Sequence, residues 1–309
     1  MTTGRLPRAH AIAYGLLVVA PFCMAMNPVI GRAARDLTPP IGMSFWRWVM
    51  ASLILLIFAW PQLLRHRHQL YRNWHILAVL GALGMGICGA VVYIGLHHTT
   101  ATNTGLIYAA SPVLILLLSA KFRDDAVSKL QLAGIPIALV GVVAIICRGD
   151  LATLAALQFN PGDMLIVVAS ISWAIYSVMI KKQSLAGIPT ITLFAAIAIC
   201  GTVVQLPFYL WESATVRPVP LELAAWSSIA AVAVVSSVLA FSFYQKGIAV
   251  LGPSRAGPFM YLMPVYSVLL AVTFLGETVS AYHVAGLVLI LIGIGLATWP
   301  VRQIQHRQA

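Results

Sequence analysis

Ten apolar runs, each close to the length of a bilayer-crossing helix, divide this chain at 10–31, 40–60, 74–96, 101–121, 130–148, 162–181, 190–211, 223–245, 253–275 and 281–300. About 20 mostly apolar residues in a helix span the hydrocarbon core of a bilayer. The segments between runs are short, and they leave no room for an inserted soluble domain. Only 9% of the 309 residues are charged, against 61% hydrophobic, whereas a soluble domain carries about 25% charged residues. The expected fold is therefore an all-α integral membrane protein with ten transmembrane helices. Arg5 and Arg8 before the first run resemble the start of a secretory signal. The similar runs that follow make an uncleaved first helix the expectation.

The formal charge of +11 reflects orientation rather than nucleic-acid binding, because no basic run is interleaved with aromatics in a polar segment. With the N-terminus placed in the cytoplasm, 14 Lys and Arg residues fall in cytoplasmic segments and 4 on the other side, Arg47 lying within a run. Positive residues favour the cytoplasmic side, so both termini are expected there. Cys23, Cys88, Cys147 and Cys200 all lie inside apolar runs, as buried thiols do, with no metal-ligand spacing.

Shifting the chain by 152 residues on itself superposes Trp74 on Trp226, Gly95 on Gly247, Gly105 on Gly257, Pro112 on Pro264, Gly134 on Gly286 and Gly141 on Gly293. The register runs without a gap. Two repeats of five helices follow, 1–150 and 151–309. Because five is odd, the second enters the membrane inverted. Inverted repeats are a common plan of secondary transporters, with the substrate near the midplane between repeats. Two such repeats close one carrier within one chain, so no dimer is required.

The stretches "TTATNTGLIYAASPVLILLLSAKFRDD", "GDMLIVVASISWAIYSVMIKK" and "LGPSRAGPFMYLMPVYSVLLAVTFLGETVSAYHVAGLVLILIGIGLA" resemble the EamA family of the drug/metabolite transporter superfamily. The resemblance extends over nearly the whole chain in two units. It implies a cofactor-free carrier of the inner membrane, most like bacterial exporters of aromatic and other neutral amino acids. It also implies an Arg at the position of Arg47. The pair Asp124–Asp125 stands where the family's second repeat has a single acidic residue.

Polar groups inside a span are costly in lipid and should face the bundle interior. The candidate substrate-binding residues are Asn27, Trp46, Arg47, Tyr108, Ser111, Trp173, Tyr176, Tyr244 and Tyr261, with Ser170, Ser177, Ser236, Ser237 and Phe241 on the same helices. Pro28, Pro112 and Pro264 are candidate hinges; the last two occupy matching places in the two repeats, a pointer to the site. Trp60, Trp74, Trp226 and Trp299 sit at run ends and read as interfacial anchors. Gly81, Gly84, Cys88 and Gly95 form a stripe for close helix packing. His97, His98 and His283 read as interfacial polar residues. Arg47 lies about two turns into the second run, near enough to the outer surface to snorkel. Two roles remain open for it: a bond to Asn27 or to helix-end carbonyls that shapes the vestibule, or attraction of a substrate carboxylate.

No Asp or Glu falls at the middle of a run, which argues against a buried carboxylate relay and for facilitated export down a gradient, or for coupling through a group the sequence does not identify. A membrane enzyme needs a positioned base or nucleophile with a partner, and no such set is present. A nucleotide sugar would need several buried cations, and a lipophilic cation a buried Glu. Aromatics, hydroxyls and one guanidinium suit an amino acid, with a drug-like compound or another metabolite as the alternative.

Overall fold

The computed structural model describes residues 8–111, 113–115, 117–118, 129–150, 160–180, 182–251, 259–260 and 262–297. The described residues are helical, with no strand among them. The main helices are α1 (Arg8–Ala33), α2 (Pro40–Arg65), α3 (Trp74–Gly95), α4 (Ala101–Ala109), α5 (Lys129–Ile146), α6 (Pro161–Met179), α7 (Thr190–Thr215), α8, α9 (Leu262–Leu275) and α10 (Ala281–Ala297). Three consecutive segments, Leu223–Ala231, Val232–Leu239 and Ala240–Leu251, make up α8. Six helices (α1, α2, α3, α6, α7 and α8) contain stretches long and apolar enough to cross a membrane, and Leu132–Ile146, Leu262–Leu275 and Ala281–Gly293 are shorter apolar helices. Pro112, Tyr261, Trp299 and the pair Asp124–Asp125 lie outside the described residues.

Local chemistry sets the helix ends. Pro40 occupies the first turn of α2 and Pro161 that of α6, where a missing N–H costs nothing. The Asn160 side chain caps α6 by accepting from Gly162 N at 2.7 Å, and Thr100 caps α4 by accepting from Asn103 N at 3.0 Å. At the far end of α5, Gly149 takes φ +71° and its N–H returns to Ala144 O at 2.8 Å. Gly276, at φ +64°, follows α9 in the same way.

Helices that the 152-residue shift relates pack on one another, α5 on α10 and α2 on α7, and α4 packs on α9. The remaining contacts are reciprocal, α1 lying against α8 and α9 while α6 lies against α3 and α4. At the α5–α10 crossing, a Cβ on Gly141 would come 2.7 Å from Gly286 O, and one on Gly293 would come 2.7 Å from Gly134 O. Each glycine meets the repeat equivalent of the other's partner, the exchange that a two-fold axis produces.

The small-residue stripe on α3 behaves as its spacing predicts. Gly81 meets Gly201 of α7, Gly84 lies under the Tyr176 ring and Gly95 faces Gly162 of α6. Large apolar side chains such as Ile57, Phe58, Leu132, Val203 and Phe274 face outward, as a lipid-facing surface requires.

Trp60 and Trp74 are exposed, whereas Trp226 packs edge-on to Trp46 at 5.0 Å and buries its indole nitrogen. Trp226 and Trp46 are thus half-buried against each other, with both indole nitrogens turned inside. The pairing of α2 with α8 closes over both rings.

Candidate functional site

Arg47 is 7% exposed and does not snorkel. Its Nε donates to Ser237 Oγ at 2.8 Å, and its Nη1 donates to Asn27 Oδ1 at 3.1 Å and to Tyr93 OH at 2.9 Å. Tyr93 OH donates in turn to Asn27 Oδ1 at 2.7 Å. The guanidinium carbon stands 4.7 Å from the centroid of the Trp48 ring, a cation–π contact. Four helices, α1, α2, α3 and α8, therefore converge on one cation. Nη2 has no hydrogen-bond partner among the described residues, and the one ion pair among them joins Arg35 to Asp36 at 3.2 Å, elsewhere.

Two of those helices carry the same irregularity. Residues Ala82–Val91 of α3 and Val232–Leu239 of α8 are π-helical, and the repeat register sets them at nearly matching places in the two repeats. A π turn widens the helix and marks functional sites in many proteins. In α8 it lets Ser237 Oγ reach Val232 O, five residues back, at 3.2 Å while accepting from Arg47. In α3 the π segment holds Cys88, whose Sγ donates to Ala169 O of α6 at 3.2 Å and which also interacts with Tyr108 and Ser172.

An aromatic wall stands beside the cation. Trp48, Phe194, Tyr176, Trp173 and Phe241 belong to one apolar cluster. Within it Trp173 stacks on Tyr176 at 5.2 Å and Phe194 on Phe241 at 4.0 Å. Several buried polar atoms on the surrounding helices have no hydrogen-bond partner among the described residues: the indole nitrogens of Trp46 and Trp48 and the hydroxyls of Ser111, Ser170, Tyr176 and Ser236. All of them are donors, and unmade bonds of this kind are expensive in a dry interior.

The structure thus brings Asn27, Arg47, Tyr108, Trp173, Tyr176 and Ser237 towards one centre, while Trp46 lies in a neighbouring aromatic group with Phe45, Tyr209 and Trp226. Tyr244 belongs to a separate cluster with Ala13, Leu17, Leu251 and Phe259 and does not join Arg47. Ser177 bonds its own helix at Trp173 O, 2.7 Å away. Pro28 lies inside a continuous α1, one residue after Asn27, and Pro264 falls in the first turn of α9. Sequence reasoning missed Tyr93. The signal for it is weak, one hydroxyl near the end of a glycine-rich helix.

A second polar group gathers at the end of the bundle where α4, α6 and α10 begin. His283, which reads as an interfacial residue in the sequence, is buried there: its Nδ1 accepts from Ser280 N at 2.9 Å and its Nε2 meets Asn103 Oδ1 at 3.1 Å. At the same end, Glu212 accepts from Ile41 N and Gly42 N at the start of α2, at 3.0 and 2.6 Å. Glu277 accepts from Ala101 N and Thr102 N at the start of α4, at 2.9 and 3.0 Å. Both carboxylates lie on the positive ends of helices from the opposite repeat. A vestibule of about 300 Å³ opens beside Glu277, lined by Arg32, Arg35, Asp36, Thr100 and Leu275.

The sequence model of the EamA-like transporter family matches residues 11–147 and 160–299. The chain belongs to the EamA-like transporter family. The two matches fall on the two sets of helices that pack reciprocally. This EamA transporter is 28% identical to the uncharacterized transporter YyaM of Bacillus subtilis, over 85% of this chain and 86% of that one. It is 27% identical to the uncharacterized inner membrane transporter YedA of Escherichia coli, over 86% and 84%. A probable terminal-alkyne amino-acid exporter of Streptantibioticus cattleyicolor is 26% identical, over 82% of each chain. A protein of known crystal structure shares the fold, with a TM-score of 0.59 at 19% identity, covering 94% of this chain and 96% of that one.

Proposed function

We propose that this membrane transporter exports aromatic and other neutral amino acids across the inner membrane by alternating access, and that Arg47 anchors the substrate carboxylate. One observation carries the reading: a buried guanidinium lies between the two sets of helices with an unbonded nitrogen and no acidic partner among the described residues. A buried charge without a counter-ion is costly, and a substrate carboxylate supplies the missing charge. Asn27, Tyr93 and Ser237 fix the direction in which the fork points. The adjoining wall of Trp48, Phe194, Tyr176, Trp173 and Phe241 accepts an aromatic or aliphatic side chain. The exporter relative from Streptantibioticus cattleyicolor is named for an amino-acid substrate, which supports the same class.

The two repeats, 1–150 and 151–309, rock about this site with the matched π segments of α3 and α8 as their flexible elements. In this reading both termini lie in the cytoplasm, the side that the charge bias favours.

The test compares binding of phenylalanine with binding of phenethylamine, which lacks the carboxylate, in wild type, Arg47→Lys and Arg47→Ala. Arg47→Ala should weaken phenylalanine binding by about 2 kcal/mol or more, roughly thirtyfold, and leave phenethylamine unchanged. Arg47→Lys should lie between. If phenylalanine binds a folded Arg47→Ala protein as it binds wild type, the carboxylate anchor is wrong.

A further inference from the structure

Asp163, in the first turn of α6, is fully buried. Its Oδ1 accepts from the Thr99 hydroxyl, and Asn103 Nδ2 lies 3.2 and 3.3 Å from its two oxygens. Neither neighbour carries charge. Asn103 Oδ1 faces His283 Nε2 at 3.1 Å, and the other ring nitrogen of His283 is occupied by the Ser280 N–H. The bond from Ser280 makes Nδ1 an acceptor, which places the proton of a neutral imidazole on Nε2 and directs it at Asn103. The result is an unbroken chain from carboxylate to amide to imidazole. It passes from α6 through α4 to α10, and so crosses between the two repeats.

The groups facing this chain from each packed element are few. The connection from α3 to α4 brings Thr99, His97 and His98; His97 is held below the ordinary histidine range chiefly by burial. α4 carries no charged residue and α3 none beyond His75 at its far end; Tyr93 of α3 bonds Arg47 and Asn27 instead. Arg148 at the end of α5 is the cation whose field reaches Asp163, without pairing with it. Glu277 is the acid whose field reaches His283.

Every member of the chain has its bonds matched to one protonation state. A proton on Asp163 Oδ1 displaces the Thr99 donor, one on Oδ2 weakens the Asn103 contact there, and in both cases the Thr99 and Asn103 bonds lose their charge assistance. A proton on His283 Nδ1 sets two donors against each other at Ser280. Either event loosens contacts that tie α4 to α6 and α10. Ionisable chains of Asp and His in membrane proteins serve as proton relays.

We propose that Asp163 binds and releases a proton in each transport cycle, with Asn103 and His283 passing its charge state to α10, so that substrate leaving in one direction is exchanged for protons moving in the other. The coupling part of this proposal rests on the carrier reading above. In each cycle one proton passes from water on the acidic face to Asp163 and on to water at the opposite face, and no bond of the substrate changes.

The experiment uses the full chain in sealed vesicles and has two arms. In the first, no substrate is present: a hydrophobic carbodiimide, which reacts with protonated carboxyls, is added over a range of pH and its adducts are mapped by peptide mass spectrometry. Labelling of Asp163 that rises several-fold per unit of falling pH is expected. Absence of label on Asp163 wherever the protein stays folded overturns the proton site. In the second arm phenylalanine is the probe, with the membrane potential clamped. One-for-one exchange across one pH unit sustains about a tenfold phenylalanine ratio, higher on the acidic side.

Asp163→Asn should keep phenylalanine counterflow, which needs no driving force, and lose the response to the pH gradient. If Asp163→Asn does not fold, His283→Gln, which keeps a neutral donor towards Asn103, should weaken the pH response and spare counterflow. Wild-type counterflow that is indifferent to the gradient overturns the coupling. Absence of wild-type counterflow sinks the phenylalanine reading instead, and the carbodiimide arm still decides the proton site.

Discussion

Arg47 Nε and Ser237 Oγ stand 2.8 Å apart, and that bond ties α2 to the π-helical stretch of α8. It is possible because the wide turn at Val232–Leu239 lets Ser237 bond its own backbone and still accept from the guanidinium. Regular α geometry would set this hydroxyl over a carbonyl four residues back instead of five.

Ser237→Ala should therefore destabilise the protein by about 1–3 kcal/mol, since it leaves a buried guanidinium N–H without an acceptor. Thermal unfolding in detergent measures this. Ser237→Thr keeps the hydroxyl and should recover most of the loss; equal losses from Ala and Thr would mean that packing, not the bond, is at stake.

The glycine crossing of α5 and α10 gives a prediction with its own control. A Cβ at Gly141 meets Gly286 O at 2.7 Å, while one at Gly15 meets nothing within 4 Å. Gly141→Val should cost about 1–3 kcal/mol through overpacking, whereas Gly15→Ala should be neutral or stabilise α1 by up to about 1 kcal/mol. Monodispersity on size-exclusion chromatography after stepwise heating ranks the two. A tolerated Gly141→Val would show that the helices separate there more easily than their contact implies.

Glu212 holds the first two N–H groups of α2 from the end of α7. Loss of an N-terminal cap costs about 0.5–2 kcal/mol. Glu212→Ala should show the whole loss and Glu212→Gln part of it, because an amide oxygen still accepts but carries no charge towards the helix dipole. Unfolding temperatures of the two variants should fall in that order.

Trp173 stacks on Tyr176 beside the Arg47 centre. On the proposed function, Trp173→Ala should reduce the preference for phenylalanine over alanine by about 1–3 kcal/mol, the scale on which an apolar pocket discriminates. Trp173→Phe should keep most of it. Competition binding with the two amino acids reads this directly, and an unchanged preference in Trp173→Ala would remove Trp173 from the substrate wall.

The apolar runs, the repeat and the family were legible in the sequence, because each rests on order along the chain. Run length follows from bilayer thickness. The matched glycines at 134, 141, 286 and 293 could be read as packing positions before their partners were known. Asn27, Arg47, Tyr108, Trp173 and Tyr176 were readable as interior candidates for the same reason: polar or aromatic groups within an apolar run have few other places to go. Tyr244 shared that signature, yet it lies in another cluster, since a helix face alone does not say which neighbour it meets.

The tertiary structure alone decided the rest. Burial of Arg47 and His283 depends on which helices close over them, and no local pattern encodes that. Depth along a helix suggested that Arg47 could reach water; Asn27, Tyr93 and Ser237, 20, 46 and 190 residues away in sequence, hold it inside. Asp163 looked like a loop-side acid because it sits two residues into its helix, and only the packing of α3, α4 and the Thr99 connection around that end removes it from water. Sequence fixes which residues a helix offers to the interior, through its period and the cost of polar groups in lipid. Which of them meet, and therefore which charge is matched and which is left for a substrate or a proton, is settled by contacts between helices far apart in the chain.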